Sequence, residues 1–84
     1  MASFIEDKLK EETIKWLNKI KEIKINEKNS KEQSKEFKDN ILAYIKDTQH
    51  FLEKGMLIEA FEAVIWAWAW LEIGEQLGFI EVVR

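Results

Sequence analysis

The single histidine, His50, stands three residues after Asp47. On a helix that spacing puts an imidazole and a carboxylate one turn apart, which is half of a carboxylate-bridged metal site. Such a site needs the pair twice, plus two glutamates from facing helices, and His50 projects about 140° from the centre of its own helix's apolar stripe. His50 is therefore expected to be solvated, neither metal ligand nor catalytic base. Glu59, Glu62, Glu72 and Glu75 would work as acid and base only if one were desolvated beside the tryptophans. No nucleophile, oxyanion hole or Gly-rich phosphate loop accompanies them, so they are expected to solubilise an apolar helix or rim an interface. Lys8, Lys15 and Lys19 share a face suited to tracking phosphates, but Glu11, Glu12 and Glu22 lie in the same arc, and base-stacking aromatics are missing from that side. The expectation is no enzyme, no metal, no cofactor and no nucleic-acid partner.

The tryptophans carry the remaining chemistry. Trp66 and Trp70 are i,i+4 neighbours, while Trp68 points nearly opposite. One reading fills a core with them, helix one covering one face and helix two the other. The second makes Trp66, Trp70 and Ile73, extended by Leu77 and Phe79, a surface for a protein partner or a second copy, because tryptophan is enriched among interface anchors.

Three helices must position these residues. Ser3-x-x-Glu6 is a capping box that starts the first, about 3–25, on which Ile5, Leu9, Thr13, Trp16, Leu17, Ile20 and Ile23 fall within roughly a 120° arc. Asn26-Glu27-Lys28-Asn29 breaks the period, and Ser30-x-x-Gln33 is a second capping box for a helix over about 30–54. Its stripe is Phe37, Ile41, Tyr44, Ile45, Thr48, Phe51 and Leu52, and Lys54-Gly55 supplies a basic last turn and a left-handed stop. So short a reversal makes helices two and three antiparallel neighbours.

Helix three, about 57–77, differs in kind. Ala60, Ala63, Ala67 and Gly74 line a narrow strip that lets a neighbouring backbone approach closely. Phe61, Val64, Ile65, Trp68 and Leu71 flank it on one side and Trp66, Trp70, Ile73 and Leu77 on the other, so apolar residues cover roughly 280° of the helix. An outer helix of an isolated bundle needs much less. Gly78 ends the helix, and the apolar tail 79–84 is expected to fold back, beginning with a Schellman-type contact from Phe79.

The 84 residues contain no cysteine and no proline, so disulfides, thiol chemistry and Cys-ligated zinc are excluded. The apolar run Ala63 to Leu71 is too short to span a bilayer, and no apolar leader precedes the first charges, so the chain reads as cytoplasmic with no membrane partner. Charge is uneven: residues 55–84 carry one Arg against five Glu, whereas residues 1–25 carry six Lys against five acids. High Lys, Glu and Ile with no Cys is the usage of proteins from hot-growing archaea.

The segment from Phe51 to Gly74 is the most distinctive. Its Gly55-x-x-x-x-Ala60-Phe61-Glu62-Ala63 followed by Trp68-Ala69-Trp70-Leu71-Glu72-x-Gly74 resembles the small archaeal proteins grouped as domain of unknown function three-five-seven, over nearly the whole chain. The resemblance implies a short three-helix bundle and brings no biochemical activity. Met56 departs from it, standing where relatives are expected to carry a capping Asp or Asn, and forgoes about 1 kcal/mol of capping. A looser likeness to tetratricopeptide-like helical hairpins is shared packing physics.

The expected architecture is a single all-α domain over 1–84, an up-down-up antiparallel three-helix bundle. Its expected role is a non-catalytic protein-interaction or self-associating module using helix three; the alternative is a small-ligand-binding protein with a Trp-lined pocket.

Overall fold

Apolar periodicity builds three helices and two short strands: α1 Phe4–Lys21, β1 Lys24–Glu27, α2 Glu32–Glu53, α3 Leu57–Gln76 and β2 Ile80–Val83. The computed structural model describes residues 4–29 and 31–84. The two capping boxes depend on Ser3 and Ser30, which lie outside the described residues.

The fold is a helical bundle carrying a small sheet, and the sheet corrects the reading of both segments that form it. The first helix ends at Lys21 rather than near residue 25, and the tail is an antiparallel partner of Lys24–Glu27 rather than a loose cover. The register is Lys24↔Val83, Ile25↔Val82, Asn26↔Glu81 and Glu27↔Ile80, and the Lys28 amide donates to the Phe79 carbonyl at 3.1 Å just beyond it. The physical reason is period two. Ile23 and Ile25 point inward while Lys24 is exposed, and Ile80 and Val82 point inward while Glu81 and Val83 are exposed.

α2 begins at Glu32, with Lys31 at the N-cap position and no side-chain cap there. The Asn29 carboxamide oxygen serves nearby instead, accepting from the Lys31 amide at 3.2 Å and from the Ser34 hydroxyl at 2.7 Å. That satisfies Ser34, which is fully buried.

Two glycines end the long helices in the same way. Gly55 (φ 73°) and Gly78 (φ 77°) adopt the left-handed conformation that side chains disfavour. Met56 N–H donates to Phe51 and Gly55 N–H to Leu52; Phe79 N–H donates to Gly74 and Gly78 N–H to Glu75, the paired bonds of a Schellman motif at each site. Met56 is the N-cap of α3 without a side-chain cap bond, as a thioether must be.

The core is Leu17 and Ile20 from α1, Ile25 and Ile80 from the strands, Ile41 from α2, and Val64, Ala67 and Leu71 from α3. Thr13 and Thr48 are fully buried as well, and each donates its hydroxyl to the carbonyl four residues back, at 2.8 and 2.7 Å. α2 and α3 form the close pair. A Cβ on the buried Gly74 would sit 2.8 Å from the Phe37 ring and 3.1 Å from Ile80, so only glycine lets these elements meet there. α1 runs alongside α3 with Trp16 against Trp68. Its stripe is covered only in its second half: Leu17 and Ile20 are buried, whereas Phe4 and Ile5 are 82% and 76% exposed.

Candidate functional site

All four tryptophans have aromatic or cationic company, and that company sorts them. On the α2 side, Trp70 meets Phe37 edge-on at 4.8 Å, Phe79 stacks on the same Phe37 at 5.1 Å, and Trp66 stacks on Tyr44 at 6.3 Å. On the α1 side, Trp68 and Trp16 are perpendicular at 5.6 Å, and the Trp68 indole N–H donates to the Trp16 carbonyl at 3.1 Å. Such pairs add about 0.5–1.5 kcal/mol each beyond area burial.

The five residues singled out as a surface are thereby divided. Trp70 and Phe79 are half-buried against Phe37 and help close the α2–α3 seam. Trp66, Ile73 and Leu77 stay exposed, Trp66 at 55% and Leu77 at 61%. Ile58 and Ile65 are exposed too, and with the half-buried Ala69 they extend the patch across the outer face of α3. Glu59 and Glu62 interrupt it.

Between α1 and α3 lies a Trp-lined hollow, a feature the sequence offered as an alternative without giving its place. An apolar groove of about 410 Å³ is lined by Trp16, Phe61, Val64, Ile65, Trp68, Ala69 and Glu72. A second hollow of about 270 Å³, under Phe4, Ile5 and Leu9, shares Phe61 with it, and a third of about 230 Å³, beside Lys19, Ile23 and Arg84, shares Trp68. The signal lay in the residues: Trp16, Phe61 and Trp68 line the groove, and Leu9 and Phe61 line the hollow beside it. Periodicity predicts which face a side chain takes, not how completely a neighbour covers it.

The other candidates are scattered. Asp47 and His50 are both exposed on α2, and no cluster suited to a metal ion occurs among the described residues. Of the basic face, Lys8 and Lys15 pair with Glu12 at 3.8 and 3.7 Å, and the ammoniums of Lys15 and Lys19 lie 5.3 and 4.7 Å from the centre of the Trp16 ring. Cation–π attraction to tryptophan thus already operates at this groove. On the surface of α2, the bond from Lys35 to Asp39 at 2.7 Å holds the lysine pKa above its ordinary value. No helix among the described residues is long and apolar enough to cross a membrane.

No curated protein matches the chain. Its fold is similar to the crystal structure of a protein from Archaeoglobus fulgidus of the DUF357 family, with 46% identity, a TM-score of 0.77, and coverage of 94% of this chain and 99% of that one. The family described as Protein of unknown function (DUF357) matches residues 11–80, which include α2, α3, the second half of α1 and both candidate surfaces. On that match, and on the shared fold and identity, the chain belongs to the DUF357 family.

Proposed function

We propose that this protein is a non-catalytic, cytoplasmic interaction module that pairs with a second copy of itself through the outer face of α3. The observation that supports this reading is the bare apolar surface of Ile58, Ile65, Trp66, Ile73 and Leu77, on a helix whose opposite face is already fully used for the core. Its exposed area is on the order of 500 Å² per protomer, near the upper end of what a monomer ordinarily leaves uncovered and short of a standard interface by only a rim. Ala69 sits among these residues and lets a facing helix come close. Glu59 and Glu62 keep the face soluble when it is open.

Sedimentation of the full chain across micromolar concentrations tests the proposal. A concentration-dependent dimer is expected, and Ile73→Glu or Trp66→Glu should return it to monomer while helicity stays unchanged, since both side chains are exposed in the protomer. A wild type that stays monomeric to about 100 μM, a concentration at which even a weak specific complex is populated, overturns it.

A further inference from the structure

The outer face of α3 is symmetric in its spacing. Ile65 and Trp66 stand at its centre, Ile58 lies seven residues before Ile65, Ile73 lies seven residues after Trp66, and all four are exposed. Reversing the helix about the point between Ile65 and Trp66 exchanges Ile58 with Ile73 and Glu62 with Ala69. A twofold contact between reversed helices needs this property, because the same patch must fit itself. Charge selects the same direction. α3 carries Glu59, Glu62, Glu72 and Glu75 and no basic residue, so a parallel pair would set Glu62 and Glu72 beside their own copies. In an antiparallel pair Glu62 lies across the methyl of Ala69, while Glu59 and Glu72, which come level, sit on flanks of the helix about 140° apart.

The neighbouring helix supplies the opposite charge. Trp68 donates to the Trp16 carbonyl 52 residues away, and Phe61 shares a hollow with Leu9 at the same offset (61 − 9), so α1 runs parallel to α3 with matched levels. Its rim beside the groove carries Lys8, Lys15 and Lys19 against Glu11 and Glu12. Glu12 already lies near Lys8 and Lys15, and Lys19 has only the Trp16 ring, so the rim keeps a positive surplus. On α3, Arg84 offsets Glu75 at 3.5 Å, whereas Glu62 and Glu72 have no ion-pair partner among the described residues.

We infer that two copies pair through α3 in antiparallel register about the Ile65–Trp66 point, and that the α1 rim of each copy reaches across to the glutamates of the other. Glu72 then comes level with Lys8 of the second copy, and Glu62 falls between Lys15 and Lys19 of the second copy. The inference rests on the self-association proposed above and adds its direction, its register and a second element. The α1 rim also supplies the area that the outer face lacks against the roughly 800 Å² per partner of a standard interface. Ile65 and Ala69 line the groove as well as the face, so the two surfaces are continuous.

Crosslinking and charge reversal on the full chain test it. The chain has no cysteine, so a single introduced one links only to its twin. Under mild oxidation Ile65→Cys should crosslink, whereas Ile58→Cys should not, because its twin lies about 22 Å along the axis, level with Ile73. Failure of Ile65→Cys to crosslink, or crosslinking of Ile58→Cys to the same extent, overturns the register. Sedimentation then reads the charges. Lys8→Glu with Lys19→Glu, and separately Glu62→Lys with Glu72→Lys, should each weaken the dimer about tenfold. An equimolar mixture of the two variants should recover wild-type association, since every contact in the mixed pair joins opposite charges. All four side chains are exposed, so helicity is expected to stay unchanged. A dimer indifferent to both reversals, or a mixture no tighter than its components, overturns the part given to α1. A monomeric wild type overturns the self-association and this inference together, whereas a dimer with the wrong crosslinks overturns the inference alone.

Discussion

The two seams along α3 use similar residues to opposite ends. Toward α2 and the sheet, Ala60, Ala63, Ala67 and Gly74 are all buried, and the aromatics stand at the margins as Trp66–Tyr44 and Trp70–Phe37. Toward α1, Leu17 and Ile20 are buried with Val64 and Leu71 in the core, and the exposed Trp16 and half-buried Trp68 border a groove of about 410 Å³. Alanine and glycine let α2 and α3 close into a seam that rings then seal, whereas on the α1 side the rings at the margin border open hollows. Stability is therefore concentrated in the α2–α3 pair, and adaptable surface along α1.

Matched substitutions on the two sides put this contrast at risk. The largest effect is expected for Ile41→Ala, where a fully buried α2 side chain is lost from the core at a cost of about 3 kcal/mol; Leu9→Ala on the open seam should cost under about 1 kcal/mol, and urea unfolding would measure both. Equal losses would dissolve the distinction. Next come two alanines two positions apart: Ala67→Leu must overfill a fully buried position and lose about 2 kcal/mol, while Ala69→Leu extends into the groove and should change stability by less than about 0.5 kcal/mol. Gly74→Ala is a finer probe. Better helix propensity offers about 1 kcal/mol, but the new methyl meets the Phe37 ring at 2.8 Å, so a net loss of about 1 kcal/mol is expected by thermal unfolding; a gain would mean that the close seam yields readily. Smallest of all, Glu12→Gln removes the carboxylate paired with Lys8 and Lys15 on α1 and should shift the midpoint by no more than about 0.5 kcal/mol, because exposed ion pairs contribute little.

Much of this arrangement was legible before any coordinates. α2 and α3 lie within two residues of the ranges their stripes and glycines predicted, since a Schellman stop is a local event. α1 was overextended because Ile20 and Ile23 continue a helical period while Ile23 and Ile25 begin a period of two, and only the distant Ile80–Val83 decides between them. A pairing between residues so remote leaves no turn motif to read. For the surface, the apolar arc of α3 left core and surface both open for this face; in the structure Trp66, Ile73 and Leu77 are exposed, whereas Trp70 and Phe79 are drawn inward by one residue, Phe37, whose reach no spacing rule conveys. The place of the Trp-lined groove was not legible for a related reason: a stripe on α1 and a stripe on α3 specify contact, and the gap beside it depends on ring shape.

The small sheet has a kinetic consequence. Its pairs join residues 53 to 59 positions apart, from Glu27↔Ile80 (80 − 27) to Lys24↔Val83 (83 − 24), while α2 and α3 are linked by a reversal of only three residues, Lys54 to Met56. Loop closure that distant is slow and gains nothing until the helices between have met. The hairpin is thus expected to assemble first and the strands to latch last, fastening α1 in passing. In the native protein the reverse event, unlatching with the hairpin intact, would release α1 as a unit, and hydrogen exchange would register it as amides of α1 and both strands opening together ahead of α2 and α3.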